Sequence, residues 1–152
     1  MSTKSALSVQ LKVQRLIKAP IARVFTAWTT PSDLVKWFGP GDWKVSAADV
    51  DPRSGGSYRI TFHSDNEAHD VTVSGVYREI KAPTKLVFTW KSEGMNIGET
   101  LVTVDLKDAD GSTEVIVRHE GFPADPVRDR HAHGWQLCMD NLEVLFGPAD
   151  KK

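Results

Sequence analysis

Two histidines occupy the positions where side-chain chemistry is most readily placed. His119 closes a run, Thr113, Val115, Val117 and His119, in which alternate residues share one phase; such alternation marks a strand with one buried face. His131 heads a second run, His131, Trp135, Cys138, Leu142 and Leu145, spaced four, three, four and three apart. That spacing is one face of a helix. If both faces turn inward, two imidazoles meet in one interior space. Histidine titrates near neutral pH and can serve there as acid, base or hydrogen-bond donor to a ligand. The competing reading is two hydrogen-bonded histidines at a cavity rim. His131 and His133 fall on different helix faces, so they do not form a zinc pair. With His63 and His69 scattered and Cys138 the lone cysteine, neither a metal site nor a cofactor is expected.

Arg15 and Asp49 also fall on apolar phases. A buried carboxylate must be paired or hydrogen-bonded, so these two either pair structurally at one end of the interior or anchor a ligand. Five tryptophans, Trp28, Trp37, Trp43, Trp90 and Trp135, are spread over the whole chain. Trp28 and Trp135 read as core plugs. Trp37-Phe38, beside Gly39-Pro40-Gly41, reads either as the mouth of a cavity or as core. Ligand pockets are lined mainly by apolar and aromatic groups with a few polar ones. The candidate lining residues are Trp37, Phe38, Tyr58, Ile60, Phe62, Val73, Phe88, Trp90, Val102, Val117, His119, His131, Trp135 and Cys138. Cys138 reads foremost as a small buried hydrophobe. No catalytic residue is assigned. Gly55-Gly56 lacks the spaced glycines and lysine of a phosphate cradle, and no nucleophile elbow is visible.

The elements that must position these residues follow from periodicity. Val9, Leu11, Val13 and Ile17 predict a first strand. Ile21, Val24, Phe25 and Trp28 predict a short helix. A second follows, with Thr30 as cap, Pro31 at the first helical position, Asp33 in the first turn, and Leu34, Trp37 and Phe38 on its apolar side. Five or six strands come next. One carries Val45, Ala47 and Asp49 on a single phase. Others carry Tyr58, Ile60 and Phe62; Val71, Val73, Gly75 and Tyr77, with Gly75 a candidate bulge; Leu86, Phe88 and Trp90; and Val102, Val104 and Leu106. Asp110-Gly111 marks a hairpin. The chain closes on one long helix from Asp125 as cap to Phe146, about five to six turns, stopped by Gly147-Pro148. A lone long helix must bury its stripe on a sheet. The predicted fold class is α+β, a curved antiparallel sheet wrapped around the C-terminal helix.

At 152 residues the chain is expected to form one domain, residues 7–147, with loose ends at 1–6 and 148–152. Nineteen Lys and Arg balance twenty Asp and Glu, which gives no electrostatic reason to expect nucleic acid or an anionic membrane. Residues 1–8 do not read as a signal peptide, no run reaches the length of a membrane span, and one cysteine fits a reducing compartment. A cytoplasmic location is expected. Edge strands leave monomer and homodimer both open.

A set of short motifs runs in order along nearly the whole chain. These are Ala19-Pro20 with Val24-Phe25 and Ala27-Trp28-Thr29; Pro31 with Leu34 and Trp37-Phe38; Asp51 with Arg53 and Gly55-Gly56-Ser57-Tyr58; Gly75, Tyr77, Glu79-Ile80, Pro83 and Leu86 through Trp90; Thr113, His119, Gly121 and Phe122; and His131 with Gly134-Trp135 and Leu142. In this order they resemble the helix-grip fold of the START-like (SRPBCC, Bet v 1-like) superfamily. Within it they resemble the homologues of the activator of the heat-shock-protein-90 ATPase. The resemblance implies a deep cavity between sheet and long helix, not one activity, since the superfamily includes binders of lipids, hormones and polyketides as well as enzymes.

The leading expectation is a small intracellular protein holding a hydrophobic or amphipathic molecule, oriented by His119, His131 and Tyr58. The second is a cochaperone-like module of a stress response, with a heat-shock chaperone as partner. The eukaryotic activators carry a separate N-terminal domain, and eight residues precede the first strand here, which ranks this second. The third is a cyclase or hydrolase using the two histidines.

Overall fold

The computed structural model describes residues 9–93 and 98–146. The expected loose ends, and the stop at Gly147-Pro148, lie outside the described residues. Strand β1 (Gln10–Ile17) leads into helices α1 (Ile21–Thr29) and α2 (Pro31–Trp37). Six strands follow: β2 (Lys44–Val50), β3 (Ser57–His63), β4 (Val71–Lys81), β5 (Lys85–Glu93), β6 (Thr100–Ala109) and β7 (Ser112–Glu120). Helix α3 (Asp125–Phe146) ends the described chain.

The seven strands make one antiparallel sheet in the order β1-β7-β6-β5-β4-β3-β2. Strands β2 to β7 form a meander of neighbours, as short turns dictate. Helices α1 and α2 carry the chain from one edge of the sheet to the other. The inward faces of the strands and the stripe of α3 share one core, in which Ile17, Val24, Val115, Met139 and Leu142 are wholly buried. This is the helix-grip arrangement. Among the described residues no helix is long and apolar enough to cross a membrane.

Local chemistry explains most element boundaries. Pro31 opens α2, and the Thr30 carbonyl accepts from the Asp33 and Leu34 N–H groups. The Thr30 hydroxyl makes no capping bond, so the expected side-chain cap is replaced by backbone alone. Asp33 instead takes Arg23 of α1 in a two-pronged ion pair at 2.8 and 3.1 Å. That pair holds the Asp33 carboxyl below the usual carboxylate range. Ala124, not Asp125, stands at the cap of α3: Arg128 N–H bonds to the Ala124 carbonyl, and Asp125 and Pro126 occupy the first turn.

Three strand details depart from simple alternation. Strand β2 has a register shift between Val45 and Ala47, opposite β3. The extra residue puts Val45, Ala48 and Val50 against the core and leaves Ala47 and Asp49 exposed. Asp49 is therefore not a buried carboxylate, and it does not pair with Arg15. Arg15 lies at the opposite edge of the sheet and bonds Asp140, Glu143 and Gln136 of α3 at 2.7–3.0 Å. On the helix those three residues are four and three apart, a polar stripe beside the apolar one. Gly75, finally, is not the bulge of β4, which falls between Tyr77 and Glu79. It is a point of close approach: a Cβ there would lie 2.0 Å from the Thr89 carbonyl oxygen. Tyr58, directly across from Gly75, donates its hydroxyl to that same carbonyl at 2.6 Å.

Candidate functional site

The two halves of α3 meet different surroundings. Met139 and Leu142 are wholly buried in packed core. Between the first half of α3, loop 38–43 and β3–β5 lies a cavity of about 410 Å³, partly open to solvent. Loop 38–43 contributes Phe38, Pro40 and Trp43; β3 gives Phe62; β4 gives Val71 and Val73; β5 gives Trp90 and Ser92. Helix α3 contributes Arg130, His131, Gly134, Trp135 and Cys138, a run at helical spacing. The size falls within the ordinary range of small-molecule pockets, roughly 300–1,000 Å³. Among the described residues no Asp or Glu borders it.

The loop wall is held by α3 itself. Asn141 donates from Nδ2 to the Trp37 carbonyl at 3.1 Å and the Gly39 carbonyl at 2.9 Å, so it satisfies carbonyls that the end of α2 leaves open. Gly39 adopts φ +143°, and a Cβ would meet the Trp43 carbonyl oxygen at 2.5 Å; only glycine folds the loop this tightly. Phe38, Trp90 and Trp135 pack against one another at 5.6–6.3 Å between ring centres and form the floor.

The histidine pair is present but unequal. The rings lie 5.4 Å apart, nearly perpendicular. His119 is wholly buried below the floor. Trp135 Nε1–H donates to its Nδ1 at 3.1 Å, which places the ring proton on Nε2. That proton goes to Thr100 Oγ1 at 2.6 Å, and Thr100 donates onward to the Trp90 carbonyl at 3.2 Å. Burial holds the His119 pKa down, to about 2. With both nitrogens engaged and the ring neutral, His119 has neither a lone pair nor a proton to give. The enzyme reading that needed both histidines loses one of the two. His131 borders the cavity. Its Nδ1–H donates to the Val127 carbonyl at 2.9 Å, so Nε2 carries a lone pair, which no described residue engages. Burial, with the nearby Arg130 charge, lowers its pKa against the pull of the Val127 bond.

Against this geometry, a family model described as Activator of Hsp90 ATPase homolog 1-like protein (AHSA1) matches residues 18–147. The chain belongs to the AHSA1 family. No protein of curated function matches it. Solved structures agree on the fold. A protein from Chromobacterium violaceum is 23% identical with a TM-score of 0.85, over 92% of this chain and 98% of that one. The AHSA1 protein from Silicibacter pomeroyi is 23% identical with a TM-score of 0.79, over 90% and 96%. A Rhizobium leguminosarum protein is 28% identical with a TM-score of 0.74, over 89% and 91%.

In this AHSA1 chain the cavity gathers seven of the expected lining residues: Phe38, Phe62, Val73, Trp90, His131, Trp135 and Cys138. The other seven do not border it. Tyr58, Ile60 and Phe88 lie toward α1 and α2, around a void of only about 20 Å³ shared with Trp28 and Leu34. The Tyr58 hydroxyl is spent on Thr89, so it does not orient a ligand in the larger space. Trp37 ties α2 to α1 by donating to the Ala27 carbonyl at 2.9 Å. Val102 and Val117 are wholly buried on β6 and β7, strands that contribute nothing to the cavity wall. His119 is screened by Trp90 and Trp135. Burial pushes the Cys138 thiol up to about 12, so it lines the wall as an apolar group rather than a nucleophile. Periodicity could have found three residues that were missed: Val71 and Ser92 continue the inward phases of Val73 and Trp90, and Gly134 lies one step along the His131 stripe. Pro40 and Trp43 carry no periodic signal, and Arg130, four residues before Gly134, carries a charge where an apolar stripe is sought.

Proposed function

We propose that this AHSA1 protein binds a hydrophobic or amphipathic small molecule in the cavity between β3–β5, loop 38–43 and the first half of α3. The observation that carries the reading is the cavity itself: about 410 Å³ walled by aromatic and aliphatic groups, with Ser92, His131 and Arg130 as its polar exceptions. An engineered cavity of about 150 Å³ lined by Leu, Ile and Phe holds benzene; this one is more than twice as large. Apolar burial supplies the affinity, at about 25 cal/mol per Å² less ordering costs. The proposed setting is the cytoplasm.

Gly134 provides the sharpest test. It lines the cavity, and a Cβ there meets only Pro40, at 3.8 Å. Gly134→Ala is expected to raise stability by up to about 1 kcal/mol, because glycine weakens a helix interior, and to leave binding in place. Gly134→Leu is expected to keep the fold, by circular dichroism, and to abolish binding. Native mass spectrometry of freshly purified protein, with titration of an apolar fluorescent probe, reads both. Equal probe binding by wild type and Gly134→Leu would sink the proposal.

Membership of the AHSA1 family supports a second reading, a cochaperone-like partner of a heat-shock chaperone that works through its outer surface. Pull-down with the chaperone and an assay of its ATPase test this; no binding and no stimulation removes it.

A further inference from the structure

Among the described residues Arg130 is the one charged side chain lining the cavity, and Ser92 and His131 are its neutral polar groups. Arg130 and His131 border it, and no carboxylate does among the described residues. Of eight arginines in the chain, Arg15, Arg23, Arg53, Arg59, Arg118 and Arg128 each hold an Asp or Glu. Arg78 and Arg130 hold none among the described residues, and of these two only Arg130 borders the cavity. Helical spacing explains why for Arg130: the residues three and four away are Pro126, Val127, His133 and Gly134, none of them acidic. The nearby carboxylates Asp125 and Asp129 are taken by Arg128, at 3.6 and 2.7 Å. Arg130 thus stands exposed beside the opening of an apolar space with its charge uncompensated, next to the unengaged Nε2 of His131.

Resting on the binding reading above, we propose that the ligand is an apolar monocarboxylate whose carboxylate is held by Arg130 at the rim while its hydrocarbon part fills the aromatic cavity. The guanidinium matches a carboxylate with two parallel hydrogen bonds, and a single fixed cation over an apolar wall selects an anionic head on an apolar tail. The volume bounds the tail: at about 150 Å³ for a benzene-sized occupant, 410 Å³ accommodates roughly two to three such units. A medium-length acyl chain or a small fused-ring acid fits; a multi-chain lipid does not.

The test compares dodecanoate, dodecanol and dodecyltrimethylammonium, which share a tail and differ in head. Binding to the full chain is followed at neutral pH through the fluorescence of the cavity tryptophans. Dodecanoate is expected to bind about tenfold tighter than dodecanol, or more, and the ammonium compound most weakly. Arg130→Gln is expected to bring dodecanoate down to the affinity of dodecanol and to leave dodecanol unchanged, and Arg130→Lys to restore part of the difference. Gly134→Leu should remove both ligands, which places them in this cavity. Equal affinity for acid and alcohol, or an acid preference that survives Arg130→Gln, overturns the carboxylate proposal and leaves the cavity reading standing. If no dodecyl compound binds, both fall.

Discussion

At the scale of single residues, a histidine in an apolar run has two opposite fates here. His119 is a neutral structural hub, with Nδ1 accepting from Trp135 and Nε2 donating to Thr100. His131, one ring away, faces the cavity. A histidine whose folded pKa lies below its unfolded value, about 6.5, binds fewer protons in the native state than in the unfolded one. Stability is therefore full above the unfolded pKa and falls as the pH drops below it. The slope is about 1.4 kcal/mol per pH unit for one proton, and it extends down to the folded value of about 2. Urea unfolding of the wild type between pH 7 and 4.5 should show this loss. His119→Gln should flatten the slope by about one proton while lowering stability at pH 7 by about 2 kcal/mol, since Trp135 and Thr100 lose well-placed partners. An unchanged slope in the variant would mean that His119 is not held neutral. The alternation of β7 identified His119 as inward. It could not say that Trp135 and Thr100 would consume both nitrogens, because those partners arrive from 16 residues downstream and 19 upstream. The indole N–H groups of Trp28 and Trp90 are buried without an acceptor among the described residues, an unusual cost in an aromatic core, of about 1–3 kcal/mol each.

At the scale of elements, junctions decide where space remains. Strands β4 and β5 approach unusually closely at Gly75, whose missing side chain admits the Thr89 carbonyl and the Tyr58 hydroxyl that binds it. Gly75→Ala drives a Cβ into backbone and should cost more than about 2 kcal/mol, with Tyr58 losing its acceptor; chemical denaturation measures it. Loop 38–43 is tied to α3 by Asn141. Asn141→Ala leaves two carbonyls without that donor and should cost about 1–2 kcal/mol. It should also raise amide exchange in residues 39–43 specifically, and uniform exchange changes would refute the latch. Helices α1 and α2 are joined by Arg23 and Asp33. Because the folded Asp33 pKa is depressed, this contribution is present above the unfolded carboxylate pKa and is lost as the pH falls through the folded value. The difference between wild type and Asp33→Asn should therefore shrink on acidification. Element types and order followed from periodicity. The bulge in β2 did not, because one extra residue reverses every later side chain and Val45-Ser46-Ala47 carries no glycine or proline to announce it.

At the scale of the whole molecule, a seven-stranded sheet and one helix share a packed core, and a cavity opens between the first half of that helix and β3–β5. The fold could be read from the residues because most strands alternate and the long helix has one apolar stripe. The division between packed and open halves was harder to read. The same residue types, Trp, Phe and Val, fill the core at Trp37 and Val117 and border the cavity at Trp90 and Val73; only the tertiary placement of α3 and loop 38–43 against β3–β5 separates the two outcomes. The five tryptophans give this division a direct readout. Trp43, Trp90 and Trp135 border the cavity, whereas Trp28 and Trp37 do not. In a nitrogen–proton correlation spectrum each indole N–H yields one signal. Titration with dodecanoate should shift the signals of Trp43, Trp90 and Trp135 most, together with the Gly134 and Cys138 amides, and should leave Trp28 and Trp37 nearly in place. Saturating ligand that moves none of these signals, or that moves Trp28 and Trp37 while Trp43, Trp90 and Trp135 stay fixed, would contradict a binding cavity beneath the first half of α3.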